Sequence, residues 1–200
     1  MVVLDTSLQN ILQFMQFLIK FQHIERIAYV QGFDRGENDA EHSYQLAMLA
    51  RFVVTDNTLD LDIHKVLMYA LVHDLVEVHA GDTFAFTKDE TLRASKKERE
   101  GAALEQIKKD FPQFTSLTDA IQNYEDKIDP ESKFVYALDK IIPDFNTLLG
   151  WWNYIKNNTT IEELDNHVGI KSQVDPFVHD LWQQVRQIIV NDSDTYFCNK

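Results

Sequence analysis

Apolar residues recur every three or four positions along most of this chain, and that spacing restricts its fold more than any other feature. We predict a first helix from about residue 7 to 23, with Ser7 as its cap. Further helices are predicted from Asp39, from Asp62 to about His79, and over about 87–110, 115–125, 130–156 and 174–191, with Pro143 kinking or dividing the sixth. No segment shows the alternation typical of strands. The prediction is an all-α fold, a compact helical bundle that forms a single domain over residues 1–200.

The charge of the chain restricts its partners. Its 200 residues carry a formal net charge of −13. Binding to nucleic acids or anionic membranes requires clustered Lys and Arg, so we expect neither polymeric nucleic acid nor a membrane as partner. The first residues do not show the pattern of a signal peptide, and no apolar run approaches about 18 residues, so we expect neither a signal peptide nor a transmembrane helix. Its single cysteine, Cys198, cannot form an internal disulfide, and we expect a cytoplasmic protein.

Four titratable side chains lie on helix faces that are otherwise apolar, namely His42, His73, Asp74 and Asp139. Leucine, valine, isoleucine and alanine surround them at helical spacing. A lone histidine in such a position is more often an ordinary core residue than a ligand. Burying two carboxylates, however, is costly unless a cation offsets their charge. These four side chains are therefore expected to meet.

If they meet around one divalent cation, the mixed nitrogen and oxygen ligands suit Mn, Co, Zn, Fe or Ni better than Ca. Neighbouring helix residues diverge by about 100°, so His73 and Asp74 can approach an ion only from one flank. The other flank stays open for water or substrate, as in catalytic metal sites. Glu77 follows His73 by one helical turn, and Asp82 lies just past the end of this predicted helix, in GDT. Either residue could act as general acid or base without ligating the metal.

These residues resemble the H…HD…D pattern of the HD-domain metal-dependent phosphohydrolases. The strings AEHSYQLAMLA, HDLVEVHAGD and YEDKIDPESKFVYALDKI are similar to the bacterial 5′-deoxynucleotidase branch and its eukaryotic relatives. The resemblance is strongest over residues 8–156, and residues 157–200 are expected to be a C-terminal helical extension. For the whole chain, the resemblance implies a single HD-type domain and a homodimer.

The resemblance also implies roles for individual residues. The four pattern residues would bind one metal ion, and the glutamate and aspartate of HDxxExxxGD, here Glu77 and Asp82, would assist catalysis. Arg26, in HIERIAYVQG, would contact the nucleotide. The family commonly shows arginine, any residue, glycine and tryptophan here, whereas this chain has Arg26, Ile27, Ala28 and Tyr29. Tyr29 would then replace the tryptophan as the aromatic residue that faces the sugar.

From these features we expect a metal-dependent phosphomonoesterase that hydrolyses (deoxy)nucleoside 5′-monophosphates to nucleoside and phosphate. Two alternatives stay open. The first is an HD-type hydrolase of nucleoside triphosphates or guanosine tetraphosphate. The tetraphosphate hydrolases place aspartate directly after the glutamate, where this chain has Val78. The second is a non-catalytic scaffold domain that uses its metal structurally.

Overall fold

The computed structural model describes residues 6–29, 35–150, 154 and 159–197, apart from the side chains of residues 28 and 29. Its helices are α1 Thr6–Gln22, α2 Asp39–Asp56, α3 Ile63–Val72, α4 Glu77–Ala80, α5 Glu90–Asp110, α6 Thr115–Asp126, α7 Pro130–Leu148, α8 Ile161–Leu164, α9 Ile170–Ser172, α10 Pro176–Asn191 and α11 Ser193–Phe197. A π-helical segment, Asp165–Gly169, connects α8 to α9. The predicted all-α class is confirmed. None of the described helices is long and apolar enough to cross a membrane.

The prediction that the chain has no strands was wrong between α1 and α2. Strands β1 Glu25–Tyr29 and β2 Gly36–Asn38 form an antiparallel pair. Strands of five and three residues are too short to show a clear alternation of apolar and polar positions, which explains why the pattern missed them. The pair brings Arg26 on β1 and Glu37 on β2 to the start of α2.

The helix predicted from Asp62 to about His79 is interrupted in the structure. Its cap is the predicted one, because the Asp62 side chain accepts hydrogen bonds from the first turn of α3. After Val72, however, the backbone hydrogen bonds reach back three residues instead of four. The N–H of residue 75 donates to the carbonyl of residue 72, and the N–H of Glu77 donates to the carbonyl of Asp74. The histidine and aspartate of the HD pair therefore lie in a turn between α3 and α4.

Two other boundaries differ from the prediction. Asn38, rather than Asp39, is the N-cap of α2 and forms a capping box with Glu41. Helix α7 continues through Pro143 and ends at Leu148, so the proline does not divide it. The short helices within 161–172 were not predicted, because segments of three to five residues are too short to show a helical period.

Two groups of buried apolar side chains hold the described elements together. The larger group joins α2, α3, α7 and α10 and includes Leu46, Phe134, Leu138 and Trp182, which are all 1% exposed or less. The second group joins α1, α5 and α6 through residues such as Ile107. Fully burying one such large side chain contributes about 1.5–3 kcal/mol. Elements from both groups line one cleft, and the titratable residues lie on its wall.

Candidate metal centre and nucleotide cleft

The cleft has a volume of about 570 Å³, within the range of small-molecule sites. Strand β1, the turn after α3, the loop after α4, and helices α5 and α7 all contribute to its lining. Six of the sequence-predicted site residues line it: Arg26, His73, Asp74, Glu77, Asp82 and, from α7, Asp139. His42 lies fully buried behind this wall.

Three of the predicted ligands form a compact buried cluster. His42 Nε2 lies 2.8 Å from Asp139 Oδ1, and His73 Nε2 lies 3.7 Å from the same oxygen. One ligand atom from each residue falls within 4.8 Å of the others. They come from α2, from the turn after α3, and from α7, so the packing of these three elements creates the cluster. Side chains of this kind at this spacing could hold a metal ion.

The hydrogen bonding of His73 tests whether the cluster fits a metal. Its Nδ1 lies 2.9 Å from the carbonyl of Ala70, which can only accept, so Nδ1 carries the hydrogen. Its Nε2 has no hydrogen-bond partner among the described residues, although it is buried. It faces two carboxylate oxygens, Asp74 Oδ2 at 2.9 Å and Asp139 Oδ1 at 3.7 Å. Three acceptors that face one another require a cation or a proton between them, and a backbone carbonyl on the other ring nitrogen is typical of metal-binding histidines.

His42 is held between two carboxylates. Its Nε2 contacts Asp139, and its Nδ1 lies 3.3 Å from Glu37 Oε1. Burial lowers the pKa of His42, but its contacts with these carboxylates outweigh burial and raise the pKa to about 9. In the absence of a metal ion, this imidazole therefore holds a proton at neutral pH. A metal ion that binds at Nε2 must displace that proton.

Asp74 lies at the edge of this cluster and belongs to a second group with Asp39 and Glu77, whose ligand atoms also fall within 4.8 Å of one another. Arg26 joins the group: its Nη1 lies 2.7 Å from Asp74 Oδ2 and 3.3 Å from Asp39 Oδ1. Burial raises the pKa of Asp74, but the charges of His73 and Arg26 outweigh this and hold it well below its usual range. Asp74 therefore connects the two groups, through His73 on one side and Arg26 on the other.

Glu77 is buried and forms no ion pair among the described residues. It is 3% exposed, and its Oε2 has no hydrogen-bond partner among the described residues. Burial, followed by the charges of Asp74 and Asp39, raises its pKa to about 10. A carboxyl group in this environment holds a proton at neutral pH and can donate it, which is what a general acid does.

Asp82 reaches the cleft because the chain turns sharply at Gly81, which has φ 72° and ends α4. Burial raises the pKa of Asp82. Arg99 on α5 holds this loop in place by donating to the Ala80 carbonyl and, at 2.6 Å, to the Thr83 hydroxyl. The loop that carries Asp82 is thus fixed by a residue outside the HD motif.

Several site residues were missed by the sequence reasoning. Asp39 was interpreted as a helix cap, but it is fully buried beside Arg26. Its position three residues before His42 places both on one helix face, and that signal could have found it. Glu37 and Arg99 carry no comparable signal, because their contacts depend on the β1–β2 pair and on the packing of α5.

Two further residues complete the comparison with the sequence. The side chain of Tyr29 is outside the described residues, so its predicted contact with the sugar stays a prediction. His79, the remaining histidine between the HD pair and Asp139, does not line the cleft. Its Nε2 lies 3.3 Å from Asp110 Oδ2, and its ring packs against Phe17.

Comparison with known proteins identifies related sequences and folds. The model of the HD-domain family matches residues 19–182. The chain is 28% identical to the 5′-deoxynucleotidase HDDC2 of Danio rerio over 137 residues, which are 67% of this chain and 66% of that protein. It is 26% identical to the 5′-deoxynucleotidase HDDC2 of Dictyostelium discoideum over 198 residues, which are 92% of this chain and 99% of that protein.

Two solved structures have a similar fold. The predicted metal-dependent phosphohydrolase from Magnetospirillum magnetotacticum superimposes with a TM-score of 0.76 at 24% identity, over 98% of this chain and 100% of that one. A conserved hypothetical protein from Pyrococcus furiosus gives a TM-score of 0.59 at 21% identity, over 88% of this chain and 99% of that one. At these identities the likeness concerns the arrangement of the helices.

Proposed function

This chain belongs to the HD-domain family, and from that premise we propose that it is a metal-dependent phosphomonoesterase that hydrolyses (deoxy)nucleoside 5′-monophosphates to nucleoside and inorganic phosphate. The observation that carries the proposal is the buried His42–His73–Asp139 cluster, with acceptor atoms facing one another at the wall of a cleft of nucleotide size. The substrate class follows the two relatives that are named 5′-deoxynucleotidases.

In this proposal His42, His73, Asp74 and Asp139 hold one divalent transition ion. Asp74 completes the set because its Oδ2 lies 2.9 Å from the unpartnered Nε2 of His73. When bound, such an ion supplies Lewis acidity, which offsets phosphate charge and makes a water molecule more acidic. The donor set accepts Mn, Co, Zn, Fe or Ni.

Arg26 is the proposed contact for the substrate phosphate. Its contacts with Glu37, Asp39 and Asp74 use Nε and Nη1. The guanidinium has five N–H donors in a rigid fork, so Nη2 can donate to a phosphate oxygen while the carboxylates hold the fork in position. Tyr29, three residues farther along β1, stays the proposed contact for the sugar on the basis of the family resemblance.

Glu77 and Asp82 are the proposed proton-transfer groups. Water adds to phosphorus and the bond from phosphorus to the sugar oxygen breaks, so that oxygen must gain a proton while the attacking water loses one. Glu77, whose pKa is raised by burial and neighbouring carboxylates, can supply the proton to the leaving oxygen. Asp82, at the rim of the cleft, can accept the proton from water or replace Glu77 in its role.

A homodimer is also part of the proposal, since exposed apolar side chains form a stripe along α1 and a second one on α2. Their exposed fractions range from 42% to 65%, and they are Leu8, Ile11, Leu12, Met15, Ile19, Tyr44, Met48 and Phe52. Apolar surface of this extent is typical of interaction sites. Sedimentation should therefore show a dimer, and a monomer at micromolar concentration would contradict this part. We also propose a cytoplasmic location, from the acidic sequence and its single cysteine.

The test is a screen of metal-reconstituted protein against nucleoside mono-, di- and triphosphates, with phosphate and pyrophosphate both measured. Monophosphates should release phosphate, and chelated protein should release none. Pyrophosphate or triphosphate release would favour the alternative HD hydrolases. A protein that binds metal and gains stability from it, but turns over no nucleotide, would instead be a scaffold.

A further inference from the structure

Lysines from four separate elements line the cleft beyond the carboxylate groups. They are Lys96 and Lys97 on α5, Lys127 at the end of α6, Lys140 on α7 and Lys171 on α9. Lys127 Nζ lies 4.0 Å from the centre of the Tyr136 ring, and Lys140 Nζ lies 5.1 Å from it. In a chain with a net charge of −13, this convergence of cations is unexpected.

These lysines are only partly neutralised. Lys96 pairs with Glu100 at 3.2 Å, and Lys140 with Asp139 at 2.5 Å. Among the described residues, neither Lys127 nor Lys171 forms an ion pair with a carboxylate side chain: Lys127 Nζ donates to the backbone carbonyl of residue 125, and Lys171 Nζ lies 3.4 Å from a histidine nitrogen. The ammonium groups of Lys127 and Lys171 therefore lie in the cleft without a carboxylate ion-pair partner among the described residues.

The electrostatics of Lys171 agree with this arrangement. Burial, followed by the positive charges of Lys140 and Lys96, lowers its pKa to about 8. Like charges in a partly desolvated cleft repel one another, and a bound anion would remove that repulsion. An ordinary surface lysine pays no such cost, since water screens its charge.

The backbone at Lys127 adds a separate observation. Lys127 is the C-cap of α6 and has φ 52°, in the left-handed region that glycine adopts most easily. A side chain at this position costs stability relative to glycine. The local backbone thus does not explain a lysine at this position. The place of its ammonium group over Tyr136 in the cleft does explain it.

We propose that Lys127 and Lys171, together with Lys140, form a second phosphate subsite, so that the preferred substrate is a nucleoside bisphosphate. The inference rests on the proposed function. The 5′-phosphate is hydrolysed at the His42 cluster, and the second phosphate, on the sugar, binds the lysines. Lys140 connects the two places because it contacts Asp139. Water adds to the 5′-phosphorus, its bond to the sugar oxygen breaks, and the products are inorganic phosphate and a nucleoside that keeps its second phosphate.

The experiment compares deoxyadenosine 5′-monophosphate with deoxyadenosine 3′,5′-bisphosphate, using metal-reconstituted protein. The wild type should prefer the bisphosphate in kcat/KM by about tenfold or more, since each charge-assisted contact contributes roughly that factor. Lys171→Gln and Lys127→Gly should each reduce this ratio. Lys127→Gly should do so without lowering Tm, because glycine suits the left-handed backbone. Lys133→Gln, on the exposed side of α7, is the matched control and should leave the ratio unchanged.

Three results would overturn the second subsite. The wild type could show equal kcat/KM for both nucleotides, or the lysine variants could lose activity on both equally, which would assign the lysines to the first phosphate. In the third result, calorimetry shows that inorganic phosphate binds the wild type but not Lys171→Gln, and that the bisphosphate binds no tighter than the monophosphate. The lysines would then be a site for a free anion. Calorimetry also separates the two proposals. If no nucleotide is hydrolysed, the proposed function fails, yet tighter binding of the bisphosphate that depends on Lys171 would still support the subsite.

Discussion

Helix α7 places two buried aspartates in opposite environments. Asp139 and Asp144 are 4% and 1% exposed, so burial raises the pKa of both. Around Asp139, the positive charges of Lys140, His73 and His42 outweigh burial and hold the pKa well below its usual range. Around Asp144, the described partner is the Tyr154 hydroxyl, which donates at 2.5 Å, and the pKa rises to about 7. The cations that converge on a carboxylate, and not its burial, decide whether it is ionised.

The largest expected effect comes from removing the carboxylate of the cation-rich region. Asp139→Ala deletes the group that links His42, His73 and Lys140, so the protein should lose its metal ion and its phosphatase activity together. In protein purified without chelator, the metal content should fall from about one ion per chain to none. One ion per chain is the content expected for a site of this kind. His42→Ala should behave in the same way, and full occupancy in both variants would refute the ligand assignment.

The next effect separates proton transfer from metal binding. Glu77→Ala removes a carboxyl group that forms no ion pair among the described residues and is not one of the four proposed ligands, so metal content and nucleotide affinity should persist. Turnover should fall by roughly 10² to 10⁴, the contribution of a general acid or base. Metal stoichiometry, calorimetry and phosphate release measured on one preparation check this result. Near wild-type turnover would move the role to Asp82, and a metal-free protein would make Glu77 a ligand.

A smaller effect is expected from the cation that faces the carboxylates. Arg26→Ala should lower kcat/KM for monophosphates by about 1.5 to 3 kcal/mol of transition-state stabilisation, the contribution of a charge-assisted hydrogen bond. Metal content should not change. Arg186→Ala is the matched control, because Arg186 pairs with Asp165 outside the cleft and its loss should leave the kinetics unaltered. Unchanged kinetics for Arg26→Ala would mean that other groups hold the phosphate.

The last effect concerns stability at Asp144, the carboxyl group without a described cation partner, and it should leave the activity unaltered. Asp144 has an unfolded pKa near 3.8 and a folded pKa of about 7, so between these values the folded state binds more protons than the unfolded state. Its contribution to the free energy of unfolding should therefore fall as pH rises through this window, by about 1 kcal/mol per pH unit. Asp144→Asn, which keeps an acceptor for Tyr154, should remove that dependence.

Denaturant titrations of the wild type and Asp144→Asn at several pH values between 4 and 7 measure the difference. The two proteins should diverge as pH rises, with the variant increasingly the more stable. Parallel pH profiles would contradict the prediction. They would mean that the pKa of Asp144 is not raised in the folded protein, and its contrast with Asp139 would fail.

Much of this protein follows from its sequence alone. The all-α class and most helix positions depend on an apolar period that each segment carries by itself, so no knowledge of distant contacts was needed. The choice of His42, His73, Asp74 and Asp139 followed from the cost of burying charged groups on apolar helix faces, which is also a local argument.

Tertiary structure alone decided how those residues are grouped. The placement of Asp74 and Glu77 beside Asp39 depends on how the turn after α3 packs against the start of α2. The approach of Arg26 from β1 depends on a strand pair too short to leave a pattern. The convergence of Lys127, Lys140 and Lys171 depends on how three helices pack around the cleft. Helical periodicity is a property of a few neighbouring residues. The distance between charges on separate elements, in contrast, is set by the packing of the whole core. That distance determines pKa values and ligand binding.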